Sequence, residues 1–156
     1  MVKKNWKLLL ICLLVVYAVA FLGSLFTSNN VNTAWYSSIR TLITPPNLVF
    51  PIVWNILFFL IALSLYFALD SANKKERKKI ALVFGINLSL NILWSIIFFA
   101  FKNTRLAFFE LIVFWVSILW MILTTWKINK KSAFLLFPYA VWVTFAGILN
   151  YVIAFG

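Results

Sequence analysis

The sequence predicts an all-α integral membrane protein, folded as a five-transmembrane-helix bundle in a single domain over residues 1–156. Of the 156 residues, 65% are hydrophobic and 11% are charged, whereas soluble domains are about 45–50% apolar and about a quarter charged. Polar breaks leave five apolar runs of about twenty residues, the length with which a helix crosses about 30 Å of hydrocarbon. The predicted spans are 8–26, 48–69, 80–101, 106–126 and 133–155.

The placement of the basic residues predicts the orientation of the bundle. Arg40, Lys102 and Arg105 fall on one side of the predicted membrane. The other side carries Lys3, Lys4, Lys7, Lys74, Lys75, Arg77, Lys78, Lys79, Lys127, Lys130 and Lys131. Because cytoplasmic segments are enriched in Lys and Arg, the N-terminus is predicted to be cytoplasmic and the C-terminus outside. This asymmetry, with the attraction of lysines to anionic lipid headgroups, explains the net charge of +11 without a nucleic-acid partner.

Composition also excludes several kinds of site. The chain has no histidine and a single cysteine, Cys12. A disulfide framework is therefore impossible, and the usual ligand sets for zinc and haem iron are missing. We predict no metal site and no cofactor, and the sequence shows no nucleophile or acid–base constellation of an enzyme.

The first predicted span resembles a signal peptide in two respects. Lysines precede it, and Ala18, Val19 and Ala20 match the small-residue pattern of a cleavage site. However, its apolar run continues to Phe26, beyond the roughly 7–15 residues of a signal-peptide core. We therefore predict that this helix is retained.

Residues 27–45 form a long connection on the predicted outer side. The connection carries Trp35 and Tyr36, and Pro45 and Pro46 stand where the second span begins. Proline is favoured at a helix entry because it lacks the N–H group and has a fixed φ. A connection of this length is either a lid over the bundle or a flexible linker with interfacial aromatic anchors, and the sequence supports both equally.

The third span has two chemically distinct faces. Ala81, Gly85 and Ser89 recur every fourth residue and form a stripe that permits close approach of another helix. Asn87 and Asn91 lie on nearly the opposite side. Because an unsatisfied amide is costly in hydrocarbon, both are expected to face the bundle interior, where they bond either neighbouring helices or a ligand.

The fourth span contains Glu110, the only acid within a predicted span. An intramembrane acid is a functional candidate. Glu110 lies about one turn from the predicted outer end of the helix. We therefore expect its carboxylate to be solvated or to meet Lys102 and Arg105 rather than to be buried.

The fifth span places Trp142, Ala146 and Asn150 at steps of four residues. A large indole beside a small residue on one inward face makes a slot for a flat apolar molecule. A close helix contact at Ala146 and Gly147 is an equally good interpretation.

The order of these landmarks resembles the TspO/MBR family, the tryptophan-rich sensory proteins related to the mitochondrial translocator protein, or peripheral benzodiazepine receptor. The shared landmarks are WY before a polar loop, TPP before a Phe and a Trp, then NxxxNxxWSxxFF, and finally LLFPYxxWxxFAxxLNY. The likeness covers essentially the whole chain.

The resemblance implies a homodimer packed through the third span at Ala81, Gly85 and Ser89. It implies a pocket that opens toward residues 27–45 and binds porphyrins such as protoporphyrin IX, and benzodiazepine-type hydrophobic ligands. Carried over by position, the pocket residues are Tyr36, Pro45, Trp54, Asn87, Asn91, Trp142, Ala146 and Leu149.

Two alternative functions use the same pocket. For some members the resemblance implies light-dependent oxidative degradation of porphyrin, in which Trp54 and Trp142 would be the radical or reactive-oxygen partners. A small-molecule transporter is the other alternative, although no inverted repeat is visible and few charges line the spans.

The chain departs from the family pattern at three places. Residues 39–43 lack the usual Pro and are one residue shorter, and Pro51 stands where a glycine is common. No basic residue follows Tyr151, so cholesterol binding is not predicted. Without histidine, metal-free porphyrin is favoured over haem. The abundance of Lys, Asn, Ile and Phe favours a bacterial plasma membrane as the location.

Overall fold

The computed structural model describes residues 5–156, which form six α-helices and contain no β-strand. In chain order the helices are α1 (Trp6–Ser28), α2 (Ala34–Ile39), α3 (Val49–Ser71), α4 (Lys74–Ser95), α5 (Thr104–Trp126) and α6 (Lys130–Phe155). A π-helical turn, Ile96–Ala100, prolongs α4. Lys3 and Lys4, which contribute to the predicted orientation, lie outside the described residues.

Five of these helices are long and apolar enough to span a membrane, namely α1, α3, α4 with its π-helical turn, α5 and α6. Each contains or closely overlaps one predicted apolar run, so the prediction of an all-α membrane bundle is confirmed. The helices α1, α4, α5 and α6 also include polar residues at their ends, because helical hydrogen bonding continues beyond the hydrocarbon-length run. Only α2 is too short to span.

Asparagine is the N-cap residue of four of the spanning helices. At α4, Asn73 Oδ1 accepts a hydrogen bond from the Glu76 backbone N–H (3.0 Å), and Glu76 Oε2 accepts one from the Asn73 N–H (2.9 Å). Asn5, Asn103 and Asn129 accept backbone hydrogen bonds at the starts of α1, α5 and α6. These caps satisfy N–H groups that have no partner within the helix, which is why the polar breaks in the sequence coincide with helix ends.

Helix α6 packs against α3 and α5, α5 also packs against α4, and α1 closes the bundle against α3 and α4. Two serines, Ser64 on α3 and Ser132 on α6, join these helices at the end of the bundle away from α2. Ser132 Oγ lies 2.7 Å from the Ser64 carbonyl oxygen. Ser64 Oγ lies 2.9 Å from the Ser132 carbonyl oxygen in return. Both serines are fully buried. Small hydroxylated residues let two backbones approach while their polar groups stay hydrogen-bonded, which suits a helix contact in lipid.

The outer surface of the bundle is also apolar. Leu10 on α1, Val113 on α5 and Val141 on α6 are each more than half exposed. Hydrocarbon accepts such side chains, whereas it cannot satisfy backbone N–H and C=O groups, which here are bonded within the helices. The protein is therefore an integral membrane protein with a lipid bilayer around its spanning helices.

Glu110 is buried rather than solvated, so the prediction for this residue is wrong. Its side chain is 9% exposed, and within residues 5–156 neither carboxylate oxygen has a hydrogen-bond partner. Helix α5 turns the face that carries Ala107, Glu110 and Phe114 into the bundle. The Arg105 side chain instead donates from Nε to the Ala154 carbonyl oxygen, 3.3 Å away.

Candidate functional site

A cavity of about 330 Å³ lies inside the bundle below α2. Its walls come from α1, α2, α3, α5, α6 and the end of α4 with its π-helical turn. Six of the eight residues carried over by position line it: Tyr36, Trp54, Asn91, Trp142, Ala146 and Leu149. The volume lies within the roughly 300–1,000 Å³ typical of small-molecule sites, and the wall combines aromatic faces with a few polar groups as such sites do.

Two indole rings on different helices, Trp54 on α3 and Trp142 on α6, belong to the aromatic part of the wall. The Trp54 ring centroid lies 5.3 Å from that of Phe58 and 6.1 Å from that of Tyr139. The Trp142 ring lies 6.0 Å from the Phe50 ring. These edge and tilted contacts hold the indoles in place. Trp142 Nε1 is buried and has no hydrogen-bond partner among the described residues.

Ala146 and Gly147 have separate roles, although they are adjacent. Ala146 lines the cavity one turn after Trp142, where its small side chain leaves space. Gly147 instead faces α5, and a Cβ atom added there would lie 3.1 Å from Leu111 Cδ2. The slot and the close helix contact, which the sequence left as alternatives, are therefore both present, at neighbouring residues.

The two asparagines of α4, Asn87 and Asn91, also have separate roles. Asn91 lines the cavity, whereas Asn87 is fully buried and does not. Tyr139 Oη donates to Asn87 Oδ1 (3.0 Å), and Asn87 Nδ2 donates to Ser117 Oγ (2.8 Å). The expectation that Asn87 belongs to the pocket therefore needs correction, because its amide is engaged in a network that joins α4, α5 and α6.

A second buried amide holds the upper wall of the cavity. Trp94 Nε1 donates to Asn150 Oδ1 (3.1 Å), and Asn150 Nδ2 donates to the Thr104 carbonyl oxygen at the start of α5 (2.8 Å). Both Trp94 and Asn150 line the cavity. Their hydrogen bonds fix α4, α5 and α6 relative to one another at the end where the cavity lies.

Sequence reasoning missed that two consecutive phenylalanines, Phe98 and Phe99, both line the cavity. Both rings are buried, and both residues belong to the π-helical turn that prolongs α4. The paired FF in the sequence was the available signal.

Helix α2 covers the cavity, which favours the lid over the flexible linker. Residues 27–45 are therefore not a loop throughout, because α1 continues to Ser28 and α2 forms within them. Tyr36 lines the cavity, and its ring lies 5.9 Å from the Phe99 ring. Trp35 packs at the same distance on Phe98. Burial raises the pKa of Tyr36 above its ordinary value, and the charge of Arg40 opposes this shift.

Pro45 does not line the cavity, in contrast to the position carried over from the family. Its carbonyl oxygen accepts a hydrogen bond from Arg40 Nη2 (3.1 Å), and Arg40 Nη1 donates to Asn47 Oδ1 (3.2 Å). Asn47 is itself part of the cavity wall. Of the residues between α2 and α3, Asn47 alone lines the cavity.

Ala81, Gly85 and Ser89 lie together on the outer surface of α4, away from the cavity. With Leu82, Ile86 and Leu93 they line a shallow, open groove. A Cβ atom added at Gly85 would meet nothing within 4 Å, and Ser89 Oγ donates to the Gly85 carbonyl oxygen (2.8 Å). The stripe is thus a free apolar face whose polar groups are satisfied.

Comparison with known proteins agrees with this architecture. Residues 11–155 match the model of the TspO/MBR family. The chain is 34% identical over 142 residues to the tryptophan-rich protein TspO of Archaeoglobus fulgidus, covering 90% of this chain and 91% of that protein. It is 32% identical over 152 residues to the tryptophan-rich protein TspO of Chlorobaculum tepidum, with 97% and 96% covered.

A more distant relative is the translocator protein of Bos taurus, 27% identical over 135 residues, with 84% of this chain and 79% of that protein covered. The family match extends across most of the chain, from within α1 to the end of α6. The chain therefore belongs to the TspO/MBR family of integral membrane proteins.

Proposed function

We propose that this protein binds porphyrins such as protoporphyrin IX, and other flat hydrophobic ligands of the benzodiazepine type, in the cavity below α2. The observation that carries the proposal is that two indole side chains, Trp54 and Trp142, line one cavity and that the buried Trp142 N–H has no partner among the described residues. A flat aromatic ligand stacks on such faces, and a ring nitrogen or carbonyl oxygen accepts the N–H bond.

The remaining wall supports the same class of ligand. Ala146 leaves space beside Trp142, and Asn91 presents an amide within reach of the cavity. The chain has no histidine, so a metal-free porphyrin fits its ligand chemistry better than haem. The small-molecule role is also compatible with the relatives that are named sensory or translocator proteins.

The Trp142→Ala variant tests this proposal. We expect protoporphyrin IX to quench tryptophan fluorescence saturably in the detergent-purified protein, with one molecule per chain. In the variant, binding should weaken by about tenfold or more. A flat heteroaromatic ring that stacks on an aromatic side chain gains about 1–3 kcal/mol of binding free energy, and the variant loses this contact. Absorption in the Soret band provides a second readout that does not depend on the removed fluorophore.

Trp120→Ala is the matched control, because Trp120 lies on α5, is 40% exposed and does not line the cavity. Unchanged affinity in a folded Trp142→Ala variant would contradict the proposed site.

The titration is repeated under light. A new chromophore that forms only under illumination, and disappears in Trp54→Phe and Trp142→Phe variants that still bind, would establish the alternative of oxidative degradation.

We also propose a homodimer that packs through the groove on α4. Ala81, Gly85 and Ser89 leave room for a second α4 helix to approach closely, and the rim of the groove is apolar. The Gly85→Phe variant is expected to shift the protein from dimer to monomer in size-exclusion chromatography with light scattering, because the ring fills the contact surface. Val113→Phe, on a lipid-facing position of α5, should remain dimeric. A dimer that persists in Gly85→Phe would exclude this interface.

A further inference from the structure

Three aromatic side chains form a patch on the outer surface where α5 meets α6, on the side of the bundle opposite α2. The patch consists of Trp126, the last residue of α5, with Phe134 and Phe137 near the start of α6. The Trp126 ring centroid lies 5.2 Å from that of Phe134 and 6.5 Å from that of Phe137, and the two phenyl rings lie 5.9 Å apart. The three rings therefore make one continuous surface, the ring patch, across the seam between two helices.

The ring patch faces outward. Trp126 is 40% exposed, Phe134 58% and Phe137 44%, and none of the three lines the cavity below α2. About one helical turn further into the membrane, on the same helix faces, Leu123 and Val141 are also exposed. Tryptophan is enriched where hydrocarbon meets the headgroups. The surface from the ring patch to Leu123 and Val141 therefore runs from headgroup level into the hydrocarbon, as an acyl chain does.

Three lysines stand between Trp126 and Phe134 in the chain. Lys127 follows α5 directly, and Lys130 and Lys131 begin α6. All three side chains are exposed. Lys130 Nζ lies 5.8 Å from the centre of the Trp126 ring. An ammonium has three N–H donors, so a cation held over an indole face keeps donors for an anion.

The protein does not neutralise these three lysines. Within residues 5–156 none of them forms an ion pair with Asp70 or Glu76, the two acids on this side of the bundle. The first turn of α6 contains no acid. A helix N-terminus carries a partial positive charge, which favours acids and disfavours cations. An anion bound beside Lys130 would therefore relieve repulsion among the lysines and the start of α6.

We propose that the seam between α5 and α6 is a binding site for one anionic phospholipid. The headgroup phosphate binds Lys130 and Lys127, and an acyl chain lies along the ring patch toward the middle of the membrane. Basic pockets between transmembrane helices bind anionic headgroups in this way. Hydrogen bonds between ionised partners are also roughly twice as strong as neutral ones.

This site differs from the general attraction of the lysines to an anionic membrane. That attraction acts on every basic residue on this side of the bundle, including those of α4. The proposed site instead requires a cation and an apolar surface in contact, which Lys130 and the ring patch provide. The occupant is therefore a lipid and not a free phosphate, because only a lipid uses both parts.

Native mass spectrometry of the full chain, purified in detergent, tests the site. The protein is titrated with dioleoyl phosphatidylglycerol or with dioleoyl phosphatidylcholine, which has the same acyl chains and no net charge. We expect the first phosphatidylglycerol molecule to bind about tenfold more tightly than the first phosphatidylcholine molecule. In the Lys127→Gln/Lys130→Gln variant this preference should fall to within about twofold. In the Phe134→Ala/Phe137→Ala variant both lipids should bind severalfold more weakly, because the acyl chain loses its apolar surface.

Lys75→Gln/Lys78→Gln is the matched control, because it removes the same charge from exposed positions of α4 on the same side of the bundle. It should keep the preference for phosphatidylglycerol. Equal loss of the preference in both lysine variants would overturn the site, since general charge would then explain the binding. Equal affinities for the two lipids in the unaltered protein would overturn it as well.

Two further outcomes would assign the surface to another occupant. Glycerol phosphate has the same charged group without acyl chains, and we expect no displacement of phosphatidylglycerol when it is added at the same concentration. Full displacement would make this a phosphate site and overturn the lipid assignment. If the unaltered protein showed no lipid preference and Phe134→Ala/Phe137→Ala dissociated a dimer, the ring patch would bind a second copy of the chain, and the proposal would fail.

Discussion

Replacing Ala146 with Phe is expected to lower the affinity for protoporphyrin IX by about 100-fold or more while the bundle remains folded. Ala146 lines the cavity one turn after Trp142, and its methyl group marks the space beside the indole. A phenyl ring at this position would occupy the volume that a flat ligand needs. The measurement is the same fluorescence and Soret titration, together with thermal unfolding to show that the variant is folded.

Val141→Phe is the matched control for Ala146→Phe. Val141 lies on the same helix but is 69% exposed on the outer surface, so the added ring meets lipid or detergent instead of the cavity. We expect its affinity to stay within about twofold of the unaltered protein, in line with the small effects of changes at exposed positions. If Ala146→Phe bound as tightly as Val141→Phe, the ligand would have to sit elsewhere.

The second large effect is expected on stability, at Asn87. Asn87→Leu removes the bonds to the Tyr139 hydroxyl and to Ser117 Oγ, and leaves the Tyr139 hydroxyl without its acceptor in a fully buried position. We expect a loss of about 2–3 kcal/mol in the free energy of unfolding, as each bond between helices in a membrane contributes up to about 1.7 kcal/mol. Thermal unfolding in detergent should show a decrease of roughly 5–10 °C.

Two controls make this prediction specific to the network. Asn55→Leu changes an exposed asparagine whose Nδ2 bonds only the Pro51 carbonyl oxygen of its own helix, so its effect should stay near zero. In the double variant Asn87→Leu/Tyr139→Phe, the loss should be smaller than the sum of the two single losses, because both changes remove the same bond. Strictly additive losses would show that the two side chains do not interact in the folded protein.

The spanning helices could be predicted from the sequence because hydrocarbon restricts the possible structures so strongly. A backbone in lipid must bond to itself, so five apolar runs of the required length lead to five helices. The exact helix starts were not predicted: Asn5, Asn73, Asn103 and Asn129 cap helices that begin two to six residues before the apolar runs. Six of the eight pocket residues carried over from the family line the cavity, but most of its wall was not predicted.

The structure was needed to assign roles to residues of the same type on one helix face. Asn87 and Asn91 are four residues apart and share one face of α4, yet one lies in a network and the other in the cavity wall. Asn87 is bonded to two side chains of other helices, the Tyr139 hydroxyl from α6 and the Ser117 hydroxyl from α5. A helical period cannot reveal this, because the two positions differ by only about 40° around the axis.

By itself, the sequence determined the class of the protein, its five spanning helices and the family to which it belongs. Only the tertiary structure decided that Glu110 is buried, that residues 27–45 include a short helix over the cavity, and that Phe98 and Phe99 both line the cavity. The physical reason is that some of the interactions are local in the sequence and others join distant helices. Hydrophobic length and capping act within one helix, whereas the depth of a carboxylate and the direction of a ring depend on the helices packed around them.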